Sequence, residues 1–222
     1  MHSTLKQLEL IKSKINEIIN AKQLKTKPKI IVVSKTFPIN NIIPLLKNGH
    51  VHYGENKIQE AENKWTEIIG NYPNVKLHMV GKLQSNKAKK AVKLFDYIHS
   101  LDNTRLASKI SQYQKELNKE VKLFIQVNLG NEKQKSGVLL NNLRNFYNYC
   151  VSDLSLNIIG LMCLPPIDDN PNKYFQLLKK NCDDLNLNEL SMGMSSDFEN
   201  AVLNGSTFLR LGTLIMGKRN AI

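Results

Sequence analysis

The chain has 222 residues, 41% hydrophobic and 23% charged, enough for one large core, and no apolar run nears the roughly 18 residues that span a bilayer. Its formal charge of +12 comes almost wholly from lysine, with arginine only at Arg105, Arg144, Arg210 and Arg219; the fork chemistry favoured for phosphate and base recognition is scarce, so no nucleic-acid role is expected. Cys150, Cys163 and Cys182 form no C-x-x-C pair, which excludes a disulfide scaffold or a structural zinc site and, with an N-terminal helix broken by lysines rather than a secretory leader, predicts a cytoplasmic protein.

In chain order, Leu5, Leu8, Ile11, Ile15, Ile18 and Ile19 recur at helical spacing within residues 4–24. A strand over "KIIVVSK" follows, then a helix over "INNIIPLLKNG" stopped by Gly49, and a strand over "HVHYGEN". "KIQEAENKWTEII" is predicted helical, "KLHMVGK" a strand, "SNKAKKAVKLF" a helix opened by a serine cap, and "YIHSLD" a strand. The pattern continues with the helix "NTRLASKISQYQKELN", the strand "VKLFIQVNL", a polar loop, and the helix "NNLRNFYNYCVS". It ends with the strand "LNIIGLMCL", the helix "NKYFQLLKKNCDDL", the short strand "ELSMGM", the helix "DFENAVLNG" and a last strand "TFLRLGTLI".

Eight strands separated by helical stretches imply parallel βαβ units. Eight such units predict a single α/β domain over residues 1–222, a closed (β/α)8 TIM barrel with an extra N-terminal helix; an open doubly wound sheet is the structural alternative. The working face of a barrel lies at the C-terminal strand ends. Those ends offer Lys35, Glu55 and Asn56, Lys82, His99 to Asp102, Asn128, Cys163, Ser191 to Ser195, and Arg210 to Thr213.

Two groups stand out. Loops after the last two strands often hold phosphate in barrels, and here they carry Ser191, Gly193, Ser195, Gly212 and Thr213. An ordinary strand-to-helix turn would explain those residues too. Arg210 weighs against that reading, because an arginine set between apolar neighbours needs an acceptor. Lys35 is an amine delivered by an apolar strand. A phosphate cradle facing an amine suits a phosphorylated aldehyde such as pyridoxal phosphate.

The segments "VVSKTFP", "YGENKIQEA", "HMVGKLQSNKAK", "IHSLD", "FIQVN", "GLMCLPP", "LSMGMSSDFENAVLNGST" and "RLGT" together resemble the pyridoxal phosphate homeostasis proteins, known as YggS in bacteria and as the proline synthetase co-transcribed homologue in animals. The resemblance covers nearly the whole chain in order. It implies a fold-type III barrel like the alanine racemase N-terminal domain, with pyridoxal 5′-phosphate held as a Schiff base on Lys35. It also implies that Asn56 lines the cofactor pocket, that Ser191 and the Gly212-Thr213 turn take the phosphate, and that Arg210 lies at the ring nitrogen or the phosphate. Lys57 and Lys82 fall at positions the family varies. The expected role is intracellular cofactor homeostasis as a carrier or buffer, with apoenzymes as recipients and no established turnover. The alternative is a racemase-like enzyme; such enzymes complete their sites with a second domain for which this chain leaves no residues. A monomer is expected.

Several features are set aside. "GTLIMGKR" imitates a phosphate loop, but Arg219 replaces the Ser/Thr that would hold magnesium. His50, His52, His78 and His99 lack i,i+4 pairing and read as packing or loop histidines rather than metal ligands. Asn204-Gly205-Ser206 reads as a helix stop, and Trp65 as core.

Overall fold

The computed structural model describes residues 2–132, 134–167 and 169–217; Lys218 and Arg219 of the mock phosphate loop lie outside them. The predicted alternation folds as expected. Strands β1 (Lys29–Val33), β2 (His52–Glu55), β3 (Lys76–Met79), β4 (Tyr97–Leu101), β5 (Lys122–Asn128), β7 (Ile158–Cys163), β8 (Glu189–Ser191) and β9 (Phe208–Leu211) form the barrel. They run in the order β4-β3-β2-β1-β9-β8-β7-β5, and β4 pairs with β5 to close it. All these pairings are parallel. A two-residue strand, β6 (Val138–Leu139), flanks β5 inside the stretch expected to be a polar loop.

Helix α1 (Ser3–Ala21) buries Leu8, Ile11 and Ile15. It precedes the barrel helices α2 (Ile43–Lys47), α3 (Ile58–Trp65), α4 (Ala88–Leu94), α5 (Thr104–Leu117), α6 (Leu143–Asn148), α7 (Pro171–Asp184), α8 (Phe198–Leu203) and α9 (Thr213–Met216). None of the described helices is long and apolar enough to cross a membrane. Two local expectations are corrected. The "SNK" start of the helix after β3 is a 3-10 turn, Ser85–Lys87, and no side chain caps α4. The last strand stops at Leu211, because Gly212 turns away at φ −106° and ψ −81° and its carbonyl accepts from Met216 N at 2.8 Å, opening α9.

Side chains alternate across each strand, so one phase faces the barrel axis and the other faces the helices. Ile31, Val33, Tyr97, Phe124, Met162 and Phe208 form the small axial cluster. Ile30, Val32, Tyr53, Leu77, Ile98, Leu123, Ile125, Leu161, Leu190 and Leu209 belong to the larger layer shared with the helices. Continuing the axial phase along β1 brings Lys35 to the mouth, and along β9 it includes Arg210.

All three cysteines are buried, and burial pushes each thiol up to about 12. A thiolate is the reactive form, so none is expected to react with a thiol reagent near neutral pH until the barrel unfolds. Counting modified thiols with and without denaturant checks this, and stoichiometric labelling of the native protein contradicts it.

Candidate functional site

A cavity of about 400 Å3 opens at the C-terminal mouth. It is lined by Val33, Lys35, Asn56, Val80, Leu164, Met194, Ser195, Ser196, Arg210, Gly212 and Thr213. Five of the six residues singled out from the sequence therefore meet in one concavity: Lys35, Asn56, Arg210, Gly212 and Thr213. A wider cleft of about 620 Å3 runs along the outer helices past Thr26, Lys179 and Asn204. It lies away from the strand ends and gathers none of these groups.

The sixth residue, Ser191, is placed differently. It is not on the cavity wall; its side chain is fully buried, and its hydroxyl lies 2.6 Å from Arg210 Nη1 and 2.8 Å from His99 Nδ1. Strand β8 ends at Ser191, and the residues of this segment that line the cavity are Met194, Ser195 and Ser196 beyond it. Gly193 serves packing: at φ +93° a side chain is strained, and an added Cβ would sit 2.5 Å from the Ala201 Cβ. The Asp197 carboxylate accepts from Met194 N at 2.6 Å and shapes the turn.

Arg210 is 5% exposed. Its Nη1 donates to Ser191, and its Nη2 donates to the Cys163 carbonyl at 2.9 Å. Among the described residues no carboxylate lies within ion-pair distance of it. Burial lowers its guanidinium below the usual arginine value. A buried cation that borders a cavity and has only neutral acceptors is costly to keep, and the cavity can receive the anion or acceptor that offsets it.

Lys35 is held by a network on the opposite face of its own strand. Ser34, one residue earlier, points toward α3, where its hydroxyl donates to Glu55 Oε1 at 2.7 Å. The same oxygen accepts from Lys64 Nζ at 2.9 Å and from Trp65 Nε1 at 3.1 Å. Lys64 also donates to the Ser34 carbonyl at 2.8 Å and to Glu60 at 3.1 Å, which uses all three of its donors. Glu60 in turn accepts from Thr36 N, and Thr36 sits at φ +67°. Backbone groups on both sides of Lys35 are thus tied to one short helix. Sequence reading placed Glu55 among the mouth candidates; alternation turns it outward, where it is fully buried with Oε2 unpartnered among the described residues. Trp65 is core, as expected, and also donates to this cluster.

Asn56 lies on the cavity wall, and the chain just beyond β3 passes close to it: an added Cβ at Gly81 would lie 2.3 Å from the Asn56 carbonyl oxygen. Lys57 and Lys82 line a separate concavity that also borders Asn56. His78 and His99 are fully buried, whereas His50 and His52 are only partly so, and three of the four do more than pack. His52, His78 and His99 are hydrogen-bonded to one another across strands, which no test of i,i+4 spacing can reveal.

The alanine racemase N-terminal domain family matches residues 7–220. The pyridoxal phosphate homeostasis protein of Aquifex aeolicus (strain VF5) is 36% identical over 200 residues, covering 86% of this chain and 87% of the relative. That of Pasteurella multocida (strain Pm70) is 31% identical over 210 residues, covering 90% of each. Among solved structures, PipY of Synechococcus elongatus PCC7942 with pyridoxal phosphate bound matches with a TM-score of 0.79 at 36% identity, covering 91% of this chain and 100% of that one. Alanine racemase of Clostridium difficile 630 shares the fold, with a TM-score of 0.69 at 13% identity, across 99% of this chain and 56% of its own. With its barrel, its lysine at the first strand end and relatives matching along most of both chains, this chain belongs to the family of pyridoxal phosphate homeostasis proteins.

Proposed function

We propose that the chain binds pyridoxal 5′-phosphate at the barrel mouth, anchors it covalently through Lys35, and holds it for delivery to apoenzymes. The observation that carries this reading is the cavity itself, where an amine, a buried arginine with no carboxylate at ion-pair distance among the described residues, and a glycine turn followed by a hydroxyl converge in about 400 Å3. When bound, the cofactor supplies an aldehyde that condenses with a primary amine, a pyridine nitrogen that accepts a hydrogen bond, and a phosphate dianion.

The residues present fit those three needs. Lys35 provides the amine from a backbone clamped by α3. Arg210, which has five N–H donors and spends one on Ser191 and one on Cys163, donates toward the cavity. Thr213, Ser195 and the backbone at Gly212 provide small donors for phosphate, and Ser191 acts from behind Arg210. Asn56 closes the rim opposite. Among the described residues lining the cavity there is no tyrosine, histidine, cysteine or carboxylate to serve beside Lys35 as a second acid–base group, which favours holding over turnover. PipY, a relative solved with pyridoxal phosphate bound, supports the same reading.

Mixing apoprotein with pyridoxal phosphate is expected to produce an absorption band at the visible edge. Borohydride should then fix one cofactor mass to the peptide carrying Lys35, and Lys35→Ala should abolish both signals. A colourless mixture with no mass added at Lys35 would sink the assignment.

A further inference from the structure

A line of polar side chains climbs the barrel axis beneath the cofactor cavity. His52 Nδ1 lies 3.0 Å from His78 Nε2, His78 Nδ1 lies 2.9 Å from His99 Nε2, and His99 Nδ1 lies 2.8 Å from Ser191 Oγ, which accepts from Arg210. Strand register explains the climb. His52 pairs with Lys76 and His78 with Tyr97, so each step to the next strand rises by two residues, about 7 Å along the barrel. The lower end reaches a second cavity, of about 460 Å3, at the N-terminal mouth, lined in part by Lys12, Lys27, Lys29, His50 and His52.

The chain has one polarity. Arginine can only donate, so Ser191 accepts from Arg210. His99 and Arg210 are the described partners of the buried Ser191 hydroxyl; if His99 also donated to it, the hydroxyl proton would be left buried without an acceptor, a cost of about 1–3 kcal/mol. Ser191 therefore donates to His99 Nδ1. His99 must then carry its proton on Nε2 and donate to His78 Nδ1, and His78 must donate from Nε2 to His52 Nδ1. His52 is left with its Nε2 proton. A charged ring anywhere in the series would set two donors against each other.

The surroundings keep the rings neutral. Burial, with the Arg210 charge next in weight, holds His99 far below the usual histidine range; burial, followed by its two histidine neighbours and Lys29, does the same to His78. His52 is pushed down to about 4 by burial and Lys29, with Asp96 opposing and Lys76 reinforcing. Tyr97 stacks on His78 at 4.3 Å and Phe124 on His99 at 4.3 Å, which fixes both ring planes.

We propose that His99, His78 and His52 are positioning residues of the mouth site: a one-way hydrogen-bond chain that fixes the Ser191 hydroxyl and, through it, the direction of the Arg210 guanidinium, a role that rests on the cofactor assignment made above. Ser191 is the hinge of the arrangement. With its proton committed to His99, its lone pairs face Arg210, and the fork is pinned between Ser191 and the Cys163 carbonyl with its remaining donors toward the cavity.

The direct test uses the cofactor-free protein labelled with 15N at histidine. Long-range proton–nitrogen correlation spectra between pH 6 and 8 are expected to show His52, His78 and His99 as neutral rings protonated at Nε2 and bare at Nδ1. An Nδ1-protonated or cationic form at any of the three in that range overturns the chain. In a second arm, His99→Phe keeps a ring on Phe124 and removes the acceptor for Ser191. Pyridoxal phosphate retention is expected to fall about tenfold, the worth of one hydrogen bond, and the pH midpoint of the visible-edge band is expected to move, while borohydride still marks Lys35. Retention and midpoint equal to the parent's overturn the positioning role. Failure of the parent protein to take up the cofactor would defeat the assignment of the mouth site and leave the ring protonation pattern standing.

Discussion

Replacing Lys64 with methionine is expected to destabilise the cofactor-free protein by about 3–5 kcal/mol, the usual cost of removing one partner from a buried ion pair. The side chains of Lys64 and Glu55 are 8% and 0% exposed. Without the ammonium, the Glu55 carboxylate keeps, among the described residues, only the Ser34 hydroxyl and the Trp65 ring nitrogen as donors, and the Ser34 carbonyl loses its lysine. Methionine fills similar volume, so the loss is electrostatic rather than a cavity effect. Urea unfolding reads the change directly. Removing the charge as well, in Lys64→Met with Glu55→Gln, is expected to recover part of the stability, because no uncompensated carboxylate then remains. The same single substitution should loosen cofactor retention, since it removes the tie to the Ser34 carbonyl and the lysine that holds Glu60, the acceptor for Thr36 N, on the other side of Lys35. A stability loss below about 1 kcal/mol for Lys64→Met would show that solvent reaches Glu55 and would remove the clamp from the account.

The clamp also marks the boundary of what the sequence discloses. Ile30 to Val33 announce a buried strand, and period-two alternation puts Lys35 in phase with Ile31 and Val33, so the amine at the mouth was legible. Arg210 was legible for the same reason, with Phe208 and Gly212 in its phase. Alternation fixes the face a side chain takes but not its height along the barrel, which depends on register between strands. Ser191 was therefore expected at the phosphate, and alternation could not show that its buried hydroxyl sits between Arg210 and His99. Glu60 and Lys64 carried no signal, because their partners Ser34 and Thr36 lie 24 to 30 residues away in the chain. The histidines were invisible as a group for a related reason: each link joins different strands, and only the two-residue rise per strand aligns them. The short helix after Gly212 was missed because "TFLRLGTLI" is apolar and β-branched enough to read as one strand, while a single glycine ends it.

Arg210→Met should separate stability from binding. Removing the guanidinium takes the Arg210 donors away from the Ser191 hydroxyl and the Cys163 carbonyl, a cost of about 1–3 kcal/mol for each buried group left unpaired. The substitution also removes a buried cation that has no carboxylate partner among the described residues, and relief of that burial offsets the loss. The apoprotein is therefore expected to unfold within about 1–2 kcal/mol of the parent. Binding has no such compensation. A hydrogen bond to a charged group is worth about 1.5–3 kcal/mol, so pyridoxal phosphate retention is expected to fall roughly 10- to 100-fold. Lys35 remains in place, and borohydride should still attach the cofactor to it at high concentration. Arg210→Lys keeps the charge but not the fork that spans Ser191 and Cys163, and should fall between parent and methionine variant. Equilibrium dialysis and urea unfolding on the same preparations decide the matter. Unchanged retention in Arg210→Met would move the ligand away from Arg210, whereas a stability loss of several kcal/mol with parent-like retention would make Arg210 a strut of the barrel instead of a ligand-facing donor.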